Sequence, residues 1–174
     1  RLKQALKARC IPFTNEQVSS IVKGSASRQI LAPRQRYVGK VTSIAPNLRW
    51  VADMVFMTST PSKNGQKFIL VVQDIFSRKI YTVALAKNTP EGVSTAFRIV
   101  LNEANVDPTE LNIDMDASFT TRPFPLLLDE KGIAHKLKDP TDNNALATLD
   151  RAIQTLKMNL MNTSPDNAWA DRLV

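Results

Sequence analysis

Trp50-Val-Ala-Asp-Met-Val-Phe56 carries the reading of the fold. Successive side chains of a strand point to opposite faces, so Trp50, Ala52, Met54 and Phe56 share one face and Val51, Asp53 and Val55 the other. Both faces are apolar apart from one acid. A strand covered on both sides belongs in the middle of a sheet that has layers above and below it. An ionised carboxylate inside such a strand is costly unless it is paired or binds a cation. Asp53 is therefore either bonded to a nearby Arg or backbone amide, or part of a site.

Working outward, Thr58 to Gly65 supplies turn residues, and Phe68-Ile-Leu-Val-Val72 reads as a second strand. Ile75 to Lys79 is a tight connection that Asp74 fixes with Ser77 and Arg78, and Ile80 to Ala86 is a third strand. Thr89-Pro90-Glu91 opens a helix with Pro at its first position. Its apolar residues Val93, Ala96, Phe97, Val100 and Leu101 follow helical spacing. Leu111 to Asp114 is a short fourth strand ended by Asp114. Phe124 to Lys131 is a short helix closed by Gly132, and Ile133 to Leu137 is a fifth strand. Asp142 caps a long helix that runs to about Leu160, and a last helix begins near Pro165. This order predicts an α/β fold, a mixed five-stranded sheet with helices on both faces.

The segment before Arg49 differs in character. Residues 1–49 hold ten Lys and Arg against one acid, Glu16, a net +9, whereas residues 50–174 net −2. Leu2, Ala5 and Leu6 suggest a short helix that Pro12 breaks. Thr14 followed by Glu16 and Gln17 marks the start of another, which ends near Lys23. Residues 24–48, rich in Ser, Arg, Pro and Gln, read as an extended linker. The expected organisation is a small helical segment at 1–23, a basic linker at 24–48 and a folded body at 49–174. A chain that begins at Arg1 and stops in a helical pattern reads as a fragment, truncated at its C-terminus. A basic arm before a slightly acidic body suits a polyanionic partner such as nucleic acid. The longest aliphatic and aromatic run, Phe68 to Val72, is far too short to span a bilayer, so no membrane partner is expected. One Cys and one His among 174 residues exclude an intrachain disulfide framework and make a Cys/His zinc site implausible. His135 reads as a structural or surface residue, Trp50 and Trp169 as core anchors, and Cys10 as an inert thiol.

Two more acids join Asp53. Asp114 stands at a strand end, where open α/β sheets gather ligands, and a parallel neighbour would bring it close to Asp53. Asp116, two residues on, fits a turn-forming role but competes as the ligand. On the long helix, Leu146, Leu149, Ile153, Leu156 and Leu160 form the core stripe, while Asn143, Ala147, Asp150, Gln154 and Lys157 form a second one. Asp150 is expected to border the core, a solvated Asp–Gln–Lys face being the other reading.

Sixty residues separate Asp53 from Asp114, and thirty-five separate Asp114 from Asp150. With this spacing the chain resembles the catalytic core of retroviral and LTR-retrotransposon integrases, which has an RNase H-like fold. The resemblance spans about residues 40–174. It rests on Trp50-Val-Ala-Asp53, Phe68 to Arg78, Ile113-Asp114 with Phe119-Thr120, Gly132 to His135, and Asp150-Arg-Ala-Ile-Gln-Thr-Leu-Lys157. It implies 3′-end processing and strand transfer of retroelement DNA by phosphoryl transfer, with two Mg²⁺ or Mn²⁺ ions gripping the attacking and leaving oxygens. Asp53 would bridge both ions, Asp114 would hold one and Asp150 the other. Lys157 would contact a phosphate and Gln154 the DNA, and Arg34, Arg36 and Lys40 of the linker would bind phosphates. The implied partners are double-stranded DNA, both element ends and target, and further copies of the chain in a homo-oligomer. The implied location is intracellular, with action in the nucleus.

The sequence also departs from that pattern. Asp150 stands where the family has Glu, one methylene longer. Met115-Asp116-Ala117-Ser118-Phe119 replaces the frequent Asn-Gly-x-Glu-Phe. Gly24-Ser-Ala-Ser-Arg28 lies where a zinc-binding Cys-x-x-Cys might follow the first helices, so no zinc is expected. A decayed or domesticated core, serving as a nucleic-acid-binding or scaffolding module, is the rival reading. A true ribonuclease H would need a fourth carboxylate and a different motif order.

Overall fold

The computed structural model describes residues 9, 12–18, 42–138, 147–163 and 167–173. The chain divides into two compact units, Arg1–Tyr37 and Val38–Val174. In the first, residues 15–18 are helical. Thr14 Oγ1 accepts from the Gln17 N–H at 3.2 Å, and Gln17 Oε1 accepts from the Thr14 N–H at 2.8 Å. This reciprocal capping box satisfies two donors that a helix start leaves open, and it confirms the start read from Thr14. The helices expected at 1–9 and on to Lys23, and the linker from 24 to 41, lie outside the described residues.

The second unit is built on five strands: β1 (Arg49–Phe56), β2 (Phe68–Asp74), β3 (Ile80–Leu85), β4 (Glu110–Ile113) and β5 (Ala134–Leu137). Their order across the sheet is β3-β2-β1-β4-β5. β1 is central, as its two apolar faces require. β2 and β3 join as antiparallel hairpins, while β4 and β5 run parallel to β1. The helices are α1 (Pro90–Ala104), α2 (Ala117–Thr120), α3 (Phe124–Glu130) and α4 (Ala147–Thr163), followed by a 3₁₀ turn at Trp169–Arg172.

The two faces of β1 meet two separate cores. Trp50, Ala52 and Met54 pack with Phe97, Val100, Phe119, Phe124 and Leu128 from α1, α2 and α3. Val51 and Val55 pack with Leu149 and Leu160 of α4 and with Trp169. Both tryptophans are core anchors, and each finds a partner for its indole N–H: Asn47 Oδ1 at 3.3 Å for Trp50, the Thr60 carbonyl at 2.9 Å for Trp169. α1 starts as read, with Thr89 Oγ1 accepting from the Gly92 N–H and Pro90 at its first position.

The turn between β2 and β3 closes on Asp74, which is fully buried. Burial by itself would raise its pKa. The Ser77 hydroxyl, the N–H groups of Ser77 and Phe76, and the Asn47 N–H all donate to the carboxylate and together hold it below its ordinary value. The role read for Asp74 with Ser77 and Arg78 holds, the Arg78 N–H also donating to the Asp74 carbonyl at 2.9 Å.

Four details differ from the sequence reading. Ala117–Thr120 forms a short helix where no element had been assigned, because Asp116 caps it: Asp116 Oδ1 accepts from the Ser118 N–H at 2.8 Å. β4 stops at Ile113, so Asp114 lies one residue past the strand. The stretch near Trp169 is a single 3₁₀ turn rather than a helix. Asp150 is exposed, although its neighbour Leu149 is fully buried. A step of about 100° carries the next side chain off the core-facing line. The Asp142 cap, Asn143 and Leu146 lie outside the described residues.

Candidate active site

The site lies where the parallel strands end. The β1–β4 ladder runs from Arg49↔Glu110 to Ala52↔Ile113. Asp53 and Asp114 are the next residues on each chain. Neighbouring positions in parallel strands point their side chains to one face, and here it is the Val51 and Val55 face that α4 covers. Just beyond the ladder, two backbone donors are taken by these same side chains. The Met54 N–H donates to Asp53 Oδ1 at 2.7 Å, and the Met115 N–H to Asp114 Oδ1 at 2.8 Å. Each carboxylate thus accepts the N–H of the residue that follows it with one oxygen and keeps its second for other work.

Asp53 is half-buried and feels its neighbours. Burial pushes its pKa up from 3.8 to about 6. The Met54 N–H opposes that rise, the charges of Asp114 and Asp150 add to it, and Lys138 opposes it. The charges of the two other acids that the sequence singled out therefore reach Asp53, one from the end of β4 and one from α4. Asp116 turns away to cap α2, and its Oδ2 accepts from Asn88 Nδ2 at 3.4 Å. Leu149, Ile153, Leu156 and Leu160 pack α4 against the sheet, leaving Gln154 exposed and Lys157 half-buried on the same helix as Asp150. Arg34, Arg36 and Lys40 lie outside the described residues.

Lys138 is the residue that sequence reading missed. It follows β5, and its N–H donates to the Ile113 carbonyl at 2.8 Å, which holds it beside Asp114. Nothing local in the sequence marks it. Its significance appears only once β5 is paired to β4.

A carboxylate donor set suits a hard divalent cation, and a cation would relieve the unfavourable charge that burial and two like neighbours place on Asp53. The donors fit such an ion in chemistry. Among the described residues no three His, Cys, Asp or Glu side chains stand close enough together to enclose one. An open apolar groove of about 460 Å³ between β3 and α1, lined by Val83, Leu85, Ala96 and Ile99 among others, holds none of these acids. No helix among the described residues is long and apolar enough to cross a membrane.

A family model of the integrase core domain matches residues 44–143. The chain belongs to the integrase core domain family. The match takes in Asp53 and Asp114 and stops short of Asp150. The fold of this integrase core is similar to that of three solved viral proteins. One is a chain of the simian T-cell lymphotropic virus intasome, solved in complex with PP2A regulatory subunit B56 gamma (TM-score 0.68, 17% identity, 90% of this chain covered). Another is the HTLV-2 integrase catalytic core domain in complex with magnesium, in dimeric form (TM-score 0.61, 18% identity, covering 75% of this chain and 85% of that one). The third is the BIV integrase catalytic core domain (TM-score 0.57, 19% identity, covering 73% and 80%). The integrase core spans 63% of the length of the intasome chain it matches. No match is found among curated proteins. The mixed five-stranded sheet with helices on both faces is the RNase H-like fold of integrase cores.

Proposed function

We propose that this integrase core catalyses metal-dependent phosphoryl transfer on double-stranded DNA: 3′-end processing of element ends and their strand transfer into a target. The observation that carries this reading is the placement of Asp53 and Asp114 side by side past the β1–β4 ladder, on the face that Asp150 overhangs. Asp53 and Asp114 would hold one divalent ion, and Asp53 with Asp150 a second. When bound, two such ions polarise the phosphodiester and lower the pKa of the attacking water or 3′ hydroxyl. Asp53 occupies the shared position, between the strand pair and the helix. The hydrogen bonds from Met54 and Met115 fix the orientation of the two strand carboxylates before substrate arrives, a form of preorganisation. α4 brings Asp150, and Lys157 seven residues later faces a phosphate farther along the strand. Gln154 between them reaches a base or sugar. The linker bases Arg34, Arg36 and Lys40 add sequence-independent backbone affinity. Action on chromosomal DNA places the protein in the nucleus. Assembly of several copies would let two element ends meet one target.

One observation favours a second reading, a nucleic-acid-binding or scaffolding module without turnover. The three acids are not drawn together tightly enough to enclose an ion, and the third is the shorter Asp. A strand-transfer assay on oligonucleotide ends in Mg²⁺ and in Mn²⁺ separates the two. Joined products from the native chain, absent with Asp53→Asn, support the enzyme. DNA binding without products in either metal supports the module.

A further inference from the structure

The pairings of β1, β4 and β5 define rows across the sheet. Arg49, Glu110 and Ala134 stand in one, Val51, Asn112 and Lys136 in another, and Ala52, Ile113 and Leu137 in the last paired row. The next residues along the three parallel chains are Asp53, Asp114 and Lys138. The Lys138 N–H bond to the Ile113 carbonyl, 2.8 Å, carries the β4–β5 register one residue beyond the strand. Lys138 therefore extends the row of acids on the same face, at its β5 end.

The lysines nearby have other partners. Lys136 pairs with Glu110 at 3.0 Å, and Lys131 with Asp107 at 3.6 Å. None of the ion pairs among the described residues uses Lys138. Its ammonium is near enough to temper the charge of Asp53, yet it forms no direct pair with it. β5 is the edge strand and is exposed along its length. That exposed strand leaves the β5 end of the row within reach of a DNA strand. A polyanion entering a row of carboxylates meets repulsion, and a fixed positive charge at the open end offsets it.

We propose that Lys138 is a phosphate-binding residue of the active site, its ammonium donating to a non-bridging oxygen of the DNA backbone beside Asp53 and Asp114. The inference rests on the reading of those acids as the reactive centre. Lysine suits the task because its ammonium is a compact charge on a flexible stem that can turn outward to meet the strand.

The test compares the full chain with Lys138→Gln, Lys138→Arg and Lys136→Gln, using a short blunt duplex of arbitrary sequence and a NaCl titration at fixed low Mg²⁺. Lys138→Gln should weaken binding about tenfold at low salt, as expected for one charged hydrogen bond. It should also reduce the slope of log K against log salt by about 0.9, one phosphate's share. Lys138→Arg should keep most of the slope. Lys136→Gln, on the same face but already neutralised by Glu110, should leave it unchanged. A wild-type slope in Lys138→Gln, an equal loss in Lys136→Gln, or no duplex affinity in the native chain overturns the proposal. Folding is not at risk, because the sheet bond of Lys138 comes from its backbone, and matching thermal melts verify this. Strand transfer by the same preparations separates the two ideas. Turnover with an unchanged slope rejects Lys138 alone, whereas a reduced slope without turnover keeps Lys138 and rejects the enzyme.

Discussion

Asp53→Asn should make the metal-free protein more stable at neutral pH while abolishing its activity. Asn keeps the size of the side chain and an oxygen for the 2.7 Å bond from the Met54 N–H, so the change removes little but the charge. In the fold the Asp53 carboxyl titrates at about 6 rather than 3.8. A group whose folded pKa is raised binds its proton more tightly in the fold. Its contribution to stability is full below the unfolded value and is lost as pH climbs through the folded one. At about 1.4 kcal/mol per pH unit, the limit is about 3 kcal/mol. Partial exposure of the carboxylate lowers this to about 2 kcal/mol. For a chain of this length each kcal/mol moves the midpoint by about 2–4 °C. The Asn variant should therefore melt about 4–8 °C higher than the native chain at pH 8. Its advantage should narrow as pH falls through 6 and disappear near 3.8. Added Mn²⁺ should reverse the order, since binding to the fold at a hundredfold excess over Kd stabilises by about 2.7 kcal/mol, and the variant has lost its central ligand. Thermal melts by circular dichroism from pH 4 to 8, with and without Mn²⁺, read all of this. An Asn variant that melts at or below the native temperature at pH 8, with a parallel pH profile, would refute the claim that Asp53 is held ionised against the preference of its surroundings.

The remaining expectations follow from neighbouring features. Asp74→Ala should destabilise by about 2 kcal/mol at neutral pH, because the donors of Ser77, Phe76 and Asn47 lose their buried charged acceptor; the penalty should shrink as pH falls below the ordinary carboxylate range, the opposite sense to Asp53, and urea melts across pH measure it. Strand transfer should be stronger in Mn²⁺ than in Mg²⁺, since Mg²⁺ demands near-ideal octahedral geometry and Asp150 is short. Asp150→Asn should abolish it and Asp150→Glu should raise its share in Mg²⁺; full activity in the Asn variant would reduce Asp150 to a solvated helix residue. Changing Arg34, Arg36 and Lys40 to Gln together should flatten the salt dependence of duplex binding by up to about 0.9 for each phosphate no longer neutralised, and an unchanged slope would mean that the body alone holds the DNA.

What could be read from the chain was whatever is written locally. The two apolar faces of residues 50–56 demanded a central strand, and β1 is central. The stripe of Leu149, Ile153, Leu156 and Leu160 set which side of α4 meets the sheet. Thr14 with Gln17, and Thr89 with Pro90, announced helix starts through hydrogen bonds reaching three residues. Such signals survive in sequence because strand and helix periods and caps involve near neighbours. The spacing of Asp53, Asp114 and Asp150 pointed to a family, and the model of that family matches residues 44–143, short of Asp150. Tertiary structure decided the rest. Spacing pointed to Asp114 but left Asp116 as a competitor; the β1–β4 register sets Asp114 beside Asp53, while a helix start occupies Asp116. Asp150 was expected to border the core, but the rotation of α4 on the sheet leaves it exposed. Lys138 carries no local signal. It enters the row of acids because β5 pairs with β4 from a distant part of the chain, and a register between separated strands is set by the burial of their shared face, which no short stretch of sequence contains.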